Sequence, residues 1–264
     1  MLIDSHCHLD APEFDNDRDA VIARARSAGV VAQVIPAVTA SGWPKLRTLC
    51  GSHAGLHPAY GLHPMFLADH RDEHLLALRH ALRVGHPVAV GECGLDFHVE
   101  GLDAQRQQFF FEEQLKIARE FDLPVVVHAR KAVDATIATL RRFGGHGSGA
   151  GNALRGVVHS FSGSEEQARQ LWKLGFHLGI GGPVTYERAQ RLRRVVAMMP
   201  IECLLLETDA PDQPDAFHRG RRNEPSRLTI VRDCISELRG MSPDVLSGTT
   251  SENVARLFGL APRT

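Results

Sequence analysis

The sequence predicts one α/β domain, a single (β/α)8 TIM barrel occupying residues 1–264. Three observations carry this reading. Short β-branched apolar runs alternate with longer amphipathic segments along the whole chain. Several of the short runs, such as "PVAV", "LPVVV" and "CLLL", stay apolar without alternation, as strands covered on both faces do. No linker-like break divides the chain, and its 264 residues suit a barrel of about 250. A doubly wound open sheet is the competing arrangement. It is disfavoured because no GxGxxG or phosphate-binding loop follows the first strand.

Taken in order, strands are expected at residues 1–4, 29–38, 59–62, 87–91, 124–127, 155–158, 176–181 and 202–206. Helices are expected at 15–28, 72–84, 103–121, 131–143, 164–174, 186–198, 224–239 and 243–258, and none is assigned between residues 39 and 58. The clearest helix starts at Asp103, a good N-cap, and places Phe111, Leu115 and Ala118 on one face. Pro225 falls in the first turn of its helix, where a missing N–H does no harm. Glycines and small residues at 141–153 read as a flexible loop entering the sixth strand, on the side away from the active face.

Composition excludes several roles. A net charge of −1 leaves no global field to recruit nucleic acid or an anionic membrane, so a polyanion must be held locally. Five scattered cysteines with no CxxC pair argue against a disulfide framework or a zinc knuckle. No signal-peptide pattern and no apolar run of roughly 20 residues is visible. A cytoplasmic monomer with no membrane contact is expected.

Catalytic groups of a barrel gather at the C-terminal ends of its strands. The polar residues there are His6 and His8 after strand one, His63 after strand three and Glu92 after strand four. His128 follows strand five, His159 strand six and Asp209 strand eight. Residues two apart in a strand face the same way, so His6 and His8 can grip one cation while Cys7 points elsewhere. Each signal alone is weak, since HxH is common and lone histidines usually only pack. Their joint appearance at one end of separate strands points to zinc, manganese or another divalent ion. With Glu92 or Asp209 bridging, two ions roughly 3.5–4 Å apart are expected.

Other groups carry less. His53, His57, His70, His74, His80, His86 and His146 read as solvated. Asp96 and His98 fall in a loop over the active face, with a substrate contact or a structural role equally open. No cysteine has an assigned base, and no GxSxG elbow occurs. The basic stretch "FHRGRRNEPSR" at 217–227 reads as a solvated turn near the active face.

The motifs "DSHCHLD", "GLHP", "GECGLD", "LPVVVHAR", "VVHSFSG", "GIGGPVTY", "LLLETDAP" and "RRNEP", in this order from residue 2 to about residue 258, resemble the TatD family of metal-dependent hydrolases. The resemblance implies that His6, His8 and Asp209 bind one metal, that Glu92 bridges, and that His128 and His159 complete a second site. It implies two divalent ions (Zn2+, Mg2+ or Mn2+) and a deoxyribonuclease acting on DNA or other nucleic-acid ends, with 3′–5′ exonuclease activity. The alternative it leaves open is an ester or C–N bond, such as that of D-aminoacyl-tRNA. Asp209 and Glu92 are then the expected catalytic groups. His63 and Arg130 are the expected holders of substrate phosphate, although Arg130 could equally pair with an acidic neighbour. Two positions depart from the family pattern: Cys93 replaces a usual isoleucine, and Asp212 a frequent tyrosine that could have stacked on a base.

Overall fold

The computed structural model describes residues 1–144 and 153–260. Eight strands follow one another around the sheet in chain order, every neighbouring pair parallel. They are β1 (Leu2–Asp4), β2 (Val30–Pro36), β3 (Leu56–Tyr60), β4 (Ala89–Asp96), β5 (Val125–Arg130), β6 (Gly156–Val158), β7 (Phe176–Ile180) and β8 (Leu204–Leu206). Backbone bonds from Ser5 N to the Leu206 carbonyl (3.0 Å) and from Asp209 N to the His6 carbonyl (2.9 Å) bring the first and last strands together. The result is the expected (β/α)8 barrel.

The outer layer comprises α1 (Arg18–Ser27), α2 (Trp43–Ser52), α3 (Glu73–Gly85), α4 (Ala104–Glu120), α5 (Val133–Arg142), α6 (Glu165–Lys173), α7 (Gln190–Met198), α8 (Leu228–Arg239) and α9 (Pro243–Phe258). Asp103 caps α4 as expected, accepting from the amides of Gln105 and Arg106. Ser164 and Gln167 form a reciprocal capping box on α6. Helix α9 does not join the ring alone. Its Val254, Leu257 and Phe258 meet the inward Val34, Ala59, Ala89, Val126, Val157 and Leu205, closing the end of the barrel where strands begin.

Several boundaries differ from expectation. Helix α2 lies between residues assigned no helix, because its start holds Pro44 and it buries only Trp43 and Leu46, a stripe too thin to read. Strand β3 begins earlier than expected and ends at Tyr60, so His63 sits just past it. Strands β4 and β5 run further, to Asp96 and Arg130. Asp96 therefore belongs to a strand end, not a loop. Helix α8 begins at Leu228, after a single 3-10 turn at Pro225–Arg227. Most of the loop expected at 141–153 lies outside the described residues.

Candidate metal centre

The opening of the barrel is lined by the side chains that the strand ends supply. At the end of β1, buried Asp4 accepts from the His6 amide (3.2 Å) and from the amide (3.0 Å) and hydroxyl (2.5 Å) of Thr208. One carboxylate thus ties the segment that carries His6 and His8 to the segment that carries Asp209. Asp209 itself has a left-handed backbone, a conformation aspartate tolerates better than most residues. Gln213 donates to its Oδ2 at 2.5 Å, which leaves Oδ1 facing the histidines.

Glu92 stands at the centre, fully buried on β4. Its Oε2 lies 3.1 Å from His6 Nε2 and 3.5 Å from His8 Nε2. Its Oε1 lies 2.8 Å from His159 Nε2 and 3.0 Å from His128 Nδ1. The two oxygens of one carboxylate therefore serve two donor sets. On the first side Asp209 Oδ1 is 3.4 Å from His6 Nε2 and 3.6 Å from His8 Nε2, while the two Nε2 atoms are 3.2 Å apart. On the second side His128 Nδ1 and His159 Nε2 are 3.2 Å apart. The His6 and His159 rings stack at 3.8 Å and join the two sides.

These spacings fit metal ions. Ligands bonded at roughly 2.0–2.1 Å to a tetrahedral ion lie about 3.3 Å from one another. Ring orientation agrees. His8 Nδ1 donates to the Pro36 carbonyl (3.2 Å), so its Nε2 lone pair faces the centre. His128 Nε2 donates to Asp96 (2.8 Å), so its Nδ1 lone pair does the same. Such outer partners fix the tautomer of a ligating imidazole. Glu92 Oε2 is buried without a hydrogen-bond partner among the described residues, a vacancy that a cation would fill.

His63 behaves differently. It lies within ligand reach of Glu92 and His128, with its Nε2 2.8 Å from Glu92 Oε1. Yet its Nδ1 accepts from the Met65 amide (3.1 Å), which puts the ring proton on Nε2. An N–H pointing into the site is a hydrogen-bond donor, not a metal ligand. Arg130 is exposed at the end of β5 and forms no ion pair among the described residues. Its charge instead acts at a distance on Asp212, whose carboxyl is raised by partial burial and by Asp209 and lowered by His8 and Arg130.

Charge in the site is strongly coupled. Burial alone would raise the Glu92 carboxyl, but the surrounding His159, His63 and His6 outweigh it and hold it well below the usual range. Burial pushes His6 and His63 down to about 4. Burial also opposes charge on His159, yet Glu92 beside it prevails and raises it to about 10.

Several contributors escaped sequence reasoning. Glu207 is buried two residues before Asp209, pushed up to about 8 by burial, with Oε1 accepting from Ser160 N (2.5 Å). It groups with His6 and His159 as a third set of donor atoms. A Cβ on Gly179 would stand 1.9 Å from its Oε2, so any larger residue there would displace the Glu207 carboxyl. His70, read as solvated, is in fact buried and donates from Nε2 to the His63 carbonyl (2.8 Å). Gln114 and Gln107 of α4 each pair with a backbone as a strand would, Gln114 with Leu62 and Gln107 with Asp96. Their positions seven apart on one face were the available signal. Gly94 lets β4 approach closely, since a Cβ there would lie 2.1 Å from the His128 carbonyl oxygen. Cys93 is buried, and its Sγ donates to the Val126 carbonyl (3.7 Å).

Comparison with known proteins agrees with this geometry. A family profile described as TatD related DNase matches residues 3–259. The chain is 39% identical over 261 residues to the uncharacterized metal-dependent hydrolase YjjV of Escherichia coli (strain K12), covering 98% of each chain. It is 36% identical over 262 residues to the 3′-5′ ssDNA/RNA exonuclease TatD of Cronobacter sakazakii, covering 97% of each. The crystal structure of YJJV, a TatD homolog from Escherichia coli K12, superposes with a TM-score of 0.92 at 38% identity over 98% of each chain.

Proposed function

The chain belongs to the TatD-related DNase family of metal-dependent hydrolases, and from that premise we propose that it cleaves phosphodiester bonds at the ends of single-stranded DNA, working from the 3′ end. The observation that carries the proposal is the Glu92 carboxylate, whose Oε2 faces His6, His8 and Asp209 while its Oε1 faces His128 and His159. A relative of similar length is named for 3′-5′ exonuclease action on ssDNA and RNA, which supports the substrate class and polarity.

In this reading His6, His8 and Asp209 would hold one divalent ion, His128 and His159 would hold a second, and Glu92 would serve both donor sets. Such ions lower the pKa of water from 15.7 toward about 7 and neutralise charge on a phosphate. Asp209 accepts the proton of the attacking water and is itself oriented by Gln213. His63 offers its Nε2–H to a non-bridging phosphate oxygen, its ring fixed by Met65 and its backbone by His70. Arg130 is free of ion pairs among the described residues, and its planar fork suits a phosphate. Asp212, also near the mouth, repels surplus negative charge, so few phosphates fit and an end is favoured over a continuous strand.

The test is a purified sample loaded in turn with Mg2+, Mn2+ and Zn2+ and offered end-labelled single-stranded DNA, aminoacyl-tRNA and a cyclic amide. Stepwise shortening of the DNA from the 3′ end is expected. No phosphodiester cleavage with any of the three ions overturns the reading, and ester hydrolysis alone would replace it with the deacylase.

A further inference from the structure

Two exposed phenylalanines follow strand ends on the side where the site opens. Phe97 is 44% exposed just past β4, and Phe217 is 83% exposed in the segment after β8. In a barrel of eight strands in chain order, β4 and β8 lie across the mouth from each other. An exposed phenylalanine needs no explanation when its loop is loose. The Phe217 segment is not loose. Ala216 N donates to Thr185 Oγ1 (2.8 Å), and Tyr186 Oη donates to the Pro214 carbonyl (3.0 Å). Buried Asp215 accepts a two-pronged contact from Arg227 (2.8 and 2.9 Å) while its Oδ1 also accepts from Phe217 N (3.0 Å). A rigid support thus holds a large apolar ring out in water.

Charge beside these rings is uncommitted. Arg219 and Arg221 are exposed within four residues of Phe217, and neither forms an ion pair among the described residues. On the opposite lip Phe97 N donates to the Arg130 carbonyl (3.0 Å), so the two residues lie on neighbouring strand ends, and Arg130 too is without an ion pair among the described residues. Other arginines are engaged, as in Arg79 with Glu120 and Arg155 with Asp122, while exposed Arg47 of α2 and Arg256 of α9 also form no ion pair among the described residues. Aromatic faces alternating with free cations are what single-stranded nucleic acid requires, since any unpaired base can stack and each phosphate needs a partner.

We propose that Phe217 and Phe97 are stacking platforms for unpaired bases of the strand whose terminal phosphodiester reaches the metal centre, with Arg219 and Arg221 holding phosphates outside it. The proposal rests on the phosphodiesterase reading above and deepens it. Stacking on both lips admits only unpaired bases, so a paired end must fray before it is cut. Phe217 also supplies, from a different loop position, the aromatic surface that Asp212 does not.

The test compares wild type, F217A and F217W on a natural single-stranded oligonucleotide and on one of equal length whose sugars lack bases. On the natural strand F217A raises KM roughly 5- to 100-fold with kcat little changed. F217W restores KM, and on the abasic strand the three proteins have equal KM. In a Glu92→Gln background, the exposed tryptophan of F217W is quenched by the natural strand and not by the abasic one. An unchanged KM for F217A, or the same rise on both strands, overturns the stacking role while the nuclease reading stands. A wild type that cleaves neither strand takes both down.

Discussion

Where the strands begin, Val126, Val157 and Leu205 meet Val254, Leu257 and Phe258 of α9 inside the barrel. Two residues further along the same segments, His128 and His159 meet each other and Glu92, and Glu207 meets His159. A single step of the strand period thus changes the interior from apolar to ionisable. The floor is closed and satisfied by packing. The mouth is open and keeps buried atoms with no hydrogen-bond partner among the described residues: His6 Nδ1, His159 Nδ1, Glu92 Oε2 and Glu207 Oε2. Left-handed backbones occur on both sides, at Lys131, Ser160, Asp209 and Gln213 toward the mouth and at His86 and Asp122 in the turns that lead into β4 and β5. Floor and mouth share a scaffold, yet the floor supplies stability and the mouth spends part of it.

Substitutions at the two ends should therefore separate folding from chemistry. The largest effect is expected at Glu92. Glu92→Ala removes the one group that touches both donor sets, and turnover should fall by at least about 1,000-fold with the thermal midpoint kept or raised. A variant that unfolds would merge the two ends. Next comes Phe258→Ala at the floor, expected to cost about 3–5 kcal/mol in denaturant unfolding. Its folded fraction should retain the wild-type metal content; loss of metal at a distance would break the division.

Asp96→Asn should have a smaller effect. It disturbs the bond that orients His128, and metal affinity should weaken about 10- to 100-fold on one side of Glu92 only. Equal weakening on both sides would show that the donor sets are not separable. The smallest change is expected for Arg130→Ala. KM for DNA should rise about 5- to 10-fold and the salt dependence of binding should fall by about one phosphate contact. Altered metal content there would put Arg130 in the wrong place.

Local pattern sufficed for the barrel and for the residues that terminate its strands. Apolar runs such as those of β5 and β8 are complete in the sequence, and the histidine or acid that follows each is visible beside it. What escaped depends on tertiary contacts. Nothing near Gln114 says that it will hold Leu62, 52 residues earlier in the chain. Asp4 joins β1 to Thr208 across 204 residues, a link that only closure of the barrel creates. In "ETD" nothing local distinguishes Glu207 from an ordinary strand-end carboxylate, because its burial arises only from the packed barrel. His70 looked like any loop histidine until Phe110 packed against it at 5.5 Å. The early part of β3 was hidden because His57 and Pro58 interrupt its apolar run.

The most direct measurement is a calorimetric titration of the metal-stripped protein with Mn2+ or Zn2+, repeated with Glu92→Gln and checked by elemental analysis. Two ions per wild-type chain, taken up with release of protons, and a marked weakening of both in the variant are predicted. Failure of the wild type to bind either ion, or two ions held equally tightly without the Glu92 carboxylate, would contradict the account.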